Sequence, residues 1–533
     1  MELSRRQFVQ VGGAAAAAAA APGLTGPDLA ARPPMGWTAR VAADMPRPDL
    51  PALLYSRAAF GPRPGDVERV RAMKQPYDWV EEQLDHTSID DSAVEQALSR
   101  LPTLAMTPRQ LLNYGMNRGQ VVEELRLATV YRQVFSARQL FEVMVDFWSD
   151  HFSIYHPTDF CEYFKTVDDR DVIRKHALGR FQDLLTASAK SPAMLNFLNN
   201  DASRKDNVNE NYAREIMELH TLGVAVDGVP YTEQDVKEVA KCFTGWAWTF
   251  QETSPRRGEF EFRQDWHDNG SKEVLGQFIG PGYYMEDGQF VIDLLCHHEA
   301  TSRFLATKLV RRFVTDDPAG QTPELVARVA ETYRRTDGDI KEMLYVILTS
   351  REFADAFNGY GGRLTRPNDL VARSLRAVDA RPEHLPTDYR NNAVYNRLRY
   401  TLQSMGQLPF YWPTPDGYPD VKDAWGSSIG MLTRWNFGLA LCGAGSGGAF
   451  GGELIPGFRP DRQTPSDRTT AGAVVDYWVD RLLHRPVLDA DRALLVGYLT
   501  NGGSASAPRT AALDQRLPEL IALILDSPYF QWR

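Results

Sequence analysis

Cysteine is scarce in this chain. Only Cys161, Cys242, Cys296 and Cys442 occur among 533 residues, and no two form a Cys-x-x-Cys pair. That excludes a thiolate zinc knuckle and a thioredoxin-type site, and leaves room for one or two disulfides if the protein is exported. A basic block is also lacking. Lys and Arg number 59 against 69 Asp and Glu, a formal charge of −10, so a nucleic-acid binder is not expected. No segment reaches the roughly 20 strongly apolar residues of a transmembrane span. HExxH, a Walker loop and a GxGxxG opening a helix after a strand are absent. Gly426-Ser427-Ser428-Ile429-Gly430 fits the string GxSxG, but no apolar strand precedes it to build a nucleophile elbow. The Gly443–Gly448 run reads as a flexible connection, not a phosphate cradle.

Hydrophobic residues make up 43% and charged residues 24%, enough apolar material for a large core. Ser4-Arg5-Arg6-Gln7-Phe8-Val9, an alanine run to Ala21, then Pro22-Gly23 read as a twin-arginine export signal. Residues 1–34 are therefore assigned as signal and linker, and the mature protein is placed in the periplasm or outside the cell. The twin-arginine route carries folded proteins, often with a cofactor already inserted.

From Leu50 the apolar residues recur with a helical period. Helices are predicted at 107–115, 119–152, 170–188, 208–224, 232–246, 289–315, 323–335, 339–357 and 366–378, and again near 393–405, 471–484, 488–499 and 511–526. Phe260-Glu261-Phe262 and Gln277-Phe278-Ile279 are expected to form one minor β-hairpin. The segment 443–469 reads as a long Gly/Pro-rich loop. The fold class is all-α: a large multi-helix body spanning 50–533 as one domain, with room for a sub-body from about residue 470. Val346–Phe353 echoes Leu523–Phe530, each ending a helix with a Ser cap and a Phe that folds back.

Projected at 100° per residue, 208–222 puts His220 near the middle of an apolar arc, with Glu215 at its edge. Glu210, Arg214 and Glu218 form an ion-pair ladder on the other side. In 140–152, His151 centres the apolar arc, and Glu142, Asp146 and Asp150 make an acidic stripe. Buried imidazoles need partners, and Glu215 is a plausible one. Trp266-His267-Asp268-Asn269-Gly270 is a tight turn that would hold His267 and Asp268 on a short loop. His297 and His298 are adjacent, so at most one faces inward. The candidate catalytic set is His151, Glu215, His220, His267 and Asp268, with Asp150 and His298 as outer members. His151, Glu215 and His220 are the candidate metal ligands. Imidazole and carboxylate suit zinc, iron or manganese.

Asn209-Glu210-Asn211-Tyr212-Ala213-Arg214-Glu215-Ile216-Met217-Glu218-Leu219-His220-Thr221-Leu222-Gly223, with Tyr231–Val236 and Phe243-Thr244-Gly245-Trp246, resembles the bacterial family called "domain of unknown function 1800". Phe147–Phe152, His267–Lys272, His297–Thr301, Gly406–Gly417 and Leu525–Gln531 extend the resemblance from about residue 50 to the end. It implies an exported, largely helical protein, whose gene often accompanies a secreted protein of the "domain of unknown function 1501" family. It implies no reaction. Where the family often has His-Asn-His, this chain has Ser149-Asp150-His151, so His151 is the retained candidate. Two readings follow. One is an extracytoplasmic, hydrolase-like enzyme with a buried His/carboxylate site, working with a bound metal or by glycosidic acid–base chemistry. The other is a non-catalytic scaffold acting with a secreted companion. Convergence of His151, Glu215, His220 and His267 beside a cleft favours the first, and scatter through separate core layers the second.

Overall fold

Polar caps fix where many helices begin. Asp49 accepts the Ala52 N–H at 3.0 Å and opens Leu50–Arg57. Thr107 and Thr232 form reciprocal capping boxes with Gln110 and Asp235, ahead of Pro108–Leu112 and Glu233–Cys242. Such caps satisfy donors that the first helical turn leaves unpaired. A computed structural model describes residues 45–115, 118–224, 231–359, 362–388, 390, 392–444, 454–455 and 457–533. The signal and linker, and part of the loop at 443–469, lie outside the described residues.

The body is mostly helical, with small two-stranded sheets. Arg118–Phe135 packs on Cys161–Asp168 and on Pro367–Ala377, Glu299–Phe313 on Pro323–Arg335, and Ser428–Leu441 on Leu517–Asp526. Trp79, Trp148, Trp246 and Trp478 are fully buried. All four cysteines are buried and free, so they form no disulfide. The internal echo is half present: Ser350 caps Arg351–Ala354 by accepting the Phe353 N–H, whereas Ser527 precedes Pro528–Gln531 without a side-chain cap, and Phe353 and Phe530 are buried. Ser428 starts a helix after the Ser427 cap, so the GxSxG string sits on no strand–helix elbow.

Several expectations are corrected: 289–315 is two helices, Met285–His297 and Glu299–Phe313, and 339–357 is three, Ile340–Leu348, Arg351–Ala354 and Ala356–Gly359. The segment 119–152 is two helices, Arg118–Phe135 and Gln139–His151. The apolar pattern runs through the break, but distant polar groups cut it. Asp91 accepts from Ser136 Oγ at 2.8 Å and Ala137 N at 2.9 Å, while Gln83 accepts from Leu140 N at 3.1 Å. The expected hairpin is really two ribbons. Strand β1 (Trp246–Trp248) pairs antiparallel with β2 (Phe260–Phe262), and β3 (Lys272–Val274) with β4 (Gln277–Ile279). All three β1 residues are buried, so no alternation marks the strand. Leu275 and Gly276, at φ 51° and 73°, make the tight turn that joins β3 to β4 locally.

Candidate functional site

The helix Gln139–His151 carries polar chemistry on two faces. On one, His151 ends the helix and is buried against Phe152, Trp148 and Phe181. Its Nε2–H donates to the His220 carbonyl at 3.1 Å, and its Nδ1 accepts from Lys308 Nζ at 2.9 Å. These partners define one neutral tautomer. Burial and then the Lys308 charge push the imidazole well below its ordinary range. Burial lowers the Lys308 ammonium to about 8, against the opposing pull of Asp150. His220 lies in a widened π-helical turn, Ile216–Thr221, with its ring 5.9 Å from that of His151. Neither His220 ring nitrogen has a partner among the described residues, and burial lowers the group to about 3. Glu215, buried at the end of Asn211–Glu215, is engaged by a neighbour. Arg214 pairs with Glu210 at 3.6 Å and more closely with Glu233, at 2.8 Å.

His267 belongs to a separate cluster. Its Nδ1–H donates to the Thr244 carbonyl at 2.8 Å, and its Nε2 lies 3.1 Å from Asp287 Oδ2. Lys272 Nζ donates to the same Asp287 oxygen at 2.7 Å, and both side chains are buried. The cluster ties the 264–272 loop to the helix Met285–His297. Asp268 Oδ1 accepts the Gly270 N–H at 2.9 Å, closing its own turn. His298 caps Glu299–Phe313 by accepting the Ala300 N–H at 3.1 Å, while His297 is exposed beside Asp293 and Asp337. The structure thus brings His151 and His220 together and leaves His267, Asp268 and His298 in other settings. Among the described residues, no three His, Cys, Asp or Glu side chains are grouped to hold a metal ion.

The second face of Gln139–His151 opens on a narrow cleft. Its acidic stripe, Glu142, Asp146 and Asp150, lines the cleft together with Asp169. Phe410, Trp412 and Tyr418 form an aromatic wall, with Trp412 and Tyr418 5.0 Å apart. The wall is a pinned loop. Tyr418 Oη donates to the Leu408 carbonyl at 2.6 Å, Arg126 Nε to the Pro409 carbonyl at 3.0 Å, and Trp412 Nε1 to Asp416 at 2.9 Å. Gly417, at φ 74°, lets the loop backbone lie directly on the Asp150 carbonyl, where any Cβ would overlap it.

Behind the cleft stands a buried lattice of arginines and aspartates. Arg366 pairs with Asp150 at 2.7 Å, with Asp369 at 3.4 Å and also with Asp146. Arg312 reaches Asp369 at 3.3 Å and Asp146 at 3.4 Å, Arg363 holds Asp420 at 2.7 Å, and Arg533 holds Asp369 at 2.6 Å. Burial opposes the charge on Asp369, but Arg312, Arg366 and Arg533 outweigh it and hold the carboxyl well below the usual range. Asp150 is different. Burial, reinforced by Asp146, outweighs Arg366 and raises it to about 7. Asp169 is also raised by burial. Asp150, an outer member of the candidate set, lines the cleft, and Asp169, Trp412 and Tyr418 join it there from other elements. The acidic stripe was the available signal.

No curated protein and no solved structure matches the chain. Residues 2–22 match the twin-arginine translocation (TAT) pathway signal sequence, which directs export. Among the described residues no helix is long and apolar enough to cross a membrane. Residues 53–532 match the model described as "Protein of unknown function (DUF1800)", and the chain belongs to that family.

Proposed function

We propose that this exported protein hydrolyses a glycosidic bond outside the cytoplasmic membrane, with the acidic cleft as its active site and Asp150 as proton donor. The observation that carries the reading is the acidic stripe on the cleft wall, where Asp150 and Asp146 stand side by side on Arg366 and burial raises the Asp150 carboxyl. Both carboxyl groups lie against Arg366, and a pair of neighbouring acids on a cleft wall is the arrangement that acid-catalysed glycoside hydrolysis uses. Asp150 gives its proton to the leaving oxygen as the carbon–oxygen bond breaks. Water adds to the carbon, and its proton restores the acid. Asp146 stabilises the positive charge that develops on the sugar ring. Trp412, half-buried on the lining, offers a flat face for a sugar ring. His151, Glu215, His220 and His267 do not converge beside the cleft, so the hydrolase reading does not rest on them, and its carboxylate moves from Glu215 and Asp268 to Asp150. The His151–Lys308 pair becomes packing behind it.

Reducing-end release by the mature chain, measured on neutral, cationic and anionic polysaccharides, tests this. One class should be cleaved, and Asp150→Asn should lower kcat by about 100-fold or more, the range general acids contribute. Cleavage unaffected by Asp150→Asn, or no cleavage of any class, would sink the reading.

A further inference from the structure

The cleft holds one buried carboxyl that has no hydrogen-bond or ion-pair partner among the described residues, although Arg174 and Arg132 lie near enough to favour its charge. Asp169 opens the π-helical turn Asp169–Arg174, is only 4% exposed and lines the cleft. Among the described residues it makes no side-chain hydrogen bond and no ion pair. The nearby cations are committed elsewhere: Lys165 to Asp168 at 2.7 Å, Arg174 to Glu142 at 2.6 Å, and Arg132 toward Glu95 at 3.8 Å. Two buried neighbours on the same lining share this condition. Gln133 Oε1 is without a partner, and the Ser153 hydroxyl makes no hydrogen bond. Buried polar groups in native structures are nearly always paired, and a lone buried carboxylate is the costliest to leave open. A row of them on a cleft wall is completed by what binds there.

The chemistry of the occupant follows from charge and shape. A cationic donor is the best match for an unpaired carboxylate, because charge-assisted hydrogen bonds are the strong ones. Four carboxyl groups and one guanidinium, Arg174, line the cleft, which disfavours an anionic ligand. Trp412, half-buried on the same lining, supplies a flat face. Building on the glycosidic reading above, we propose that the substrate is a polymer of amino sugars with free amines, one protonated amine seated on Asp169 and the ring stacked on Trp412.

Titration calorimetry of the mature chain with tetrasaccharides of glucosamine, N-acetylglucosamine and galacturonic acid reads the proposal. The glucosamine tetramer should bind about tenfold tighter than its N-acetylated form, and the uronate should not bind. Asp169→Asn should bring that ratio near one, and Asp169→Glu, which keeps the charge, should preserve a preference for the amine. Raising salt from about 50 to about 500 mM should narrow the ratio in the unaltered chain, a readout that needs no variant. Equal or tighter binding of the N-acetylated tetramer, or binding of the uronate, overturns the amino-sugar assignment and leaves the glycosidic reading standing. Failure of all three to bind, while cleavage of another polysaccharide still depends on Asp150, likewise overturns this assignment alone. Failure to bind together with no cleavage of any polysaccharide overturns both.

Discussion

Asp150 sets the pH response at the scale of single residues. Its carboxyl is raised to about 7, so activity that needs the protonated form is retained below that pH and lost as pH rises through it. Stability has the same sign. The folded group binds its proton more tightly than the unfolded one, so its contribution is present at acid pH and declines as pH rises from about 4 to 7. The denaturant midpoint of Asp150→Asn should therefore fall less over that interval than the parent's. His151 lies on the opposite face. His151→Ala removes the acceptor of Lys308 and the donor to the His220 carbonyl, and leaves a buried cavity. A loss of about 3 kcal/mol or more is expected in urea unfolding. A loss below about 1 kcal/mol would show that the Lys308 contact is not part of the core. The burial of both histidines was legible from projection at 100° per residue. Their partners were not, because Lys308 arrives from a helix far along the chain.

At the scale of elements, the loop carrying Trp412 is held by backbone contact with the end of Gln139–His151. Gly417→Ala forces a Cβ into the Asp150 carbonyl and puts alanine at φ 74°. Gly406, at φ 85°, has open space around it, so Gly406→Ala bears only the conformational cost of about 1 kcal/mol. Gly417→Ala should cost clearly more in thermal melting and weaken binding in the cleft. Equal melting temperatures for the two variants would show that the loop yields without loss. The Gly406–Gly417 segment was legible as a family feature, but its seat on Asp150 was not. Local pattern does not encode which helix end a loop will meet. The acidic stripe makes the same point. At i, i+4, i+8 it has the spacing of a solvated helix face, and it became a cleft lining because Pro367–Ala377 and the 408–418 loop pack around it.

At the scale of the whole molecule, the C-terminus closes the charge lattice. Arg533 pairs with Asp369, and its backbone exchanges hydrogen bonds with Arg363 at 2.8 and 2.9 Å. Deleting Trp532 and Arg533 leaves Asp369 with fewer cations in a buried site, a change of about 3–5 kcal/mol for broken buried pairs. The truncated precursor should accumulate in the cytoplasm, since the twin-arginine route carries folded cargo. Fractionation with an antibody to the mature chain checks this. Normal export would show that the lattice tolerates the loss. Arg5-Arg6 replaced by Lys-Lys should also retain the precursor, but with unchanged melting of the mature body. Export of that variant would show that the signal works by another route.

The sequence by itself determined the export signal, the helical class, most helix centres and the family, because each rests on local period or linear order. Helix caps such as Thr107 and Thr232 were equally local. The tertiary structure alone decided the strand partners, the break at Ser136 to Arg138 and which helix face borders the cleft. Those depend on groups brought together from distant positions: Asp91 and Gln83 on the break, Arg366 on Asp146 and Asp150, and Gly417 on the Asp150 carbonyl. A helix face is written in the chain, but whether it meets water, core or a cleft is fixed by what packs against it.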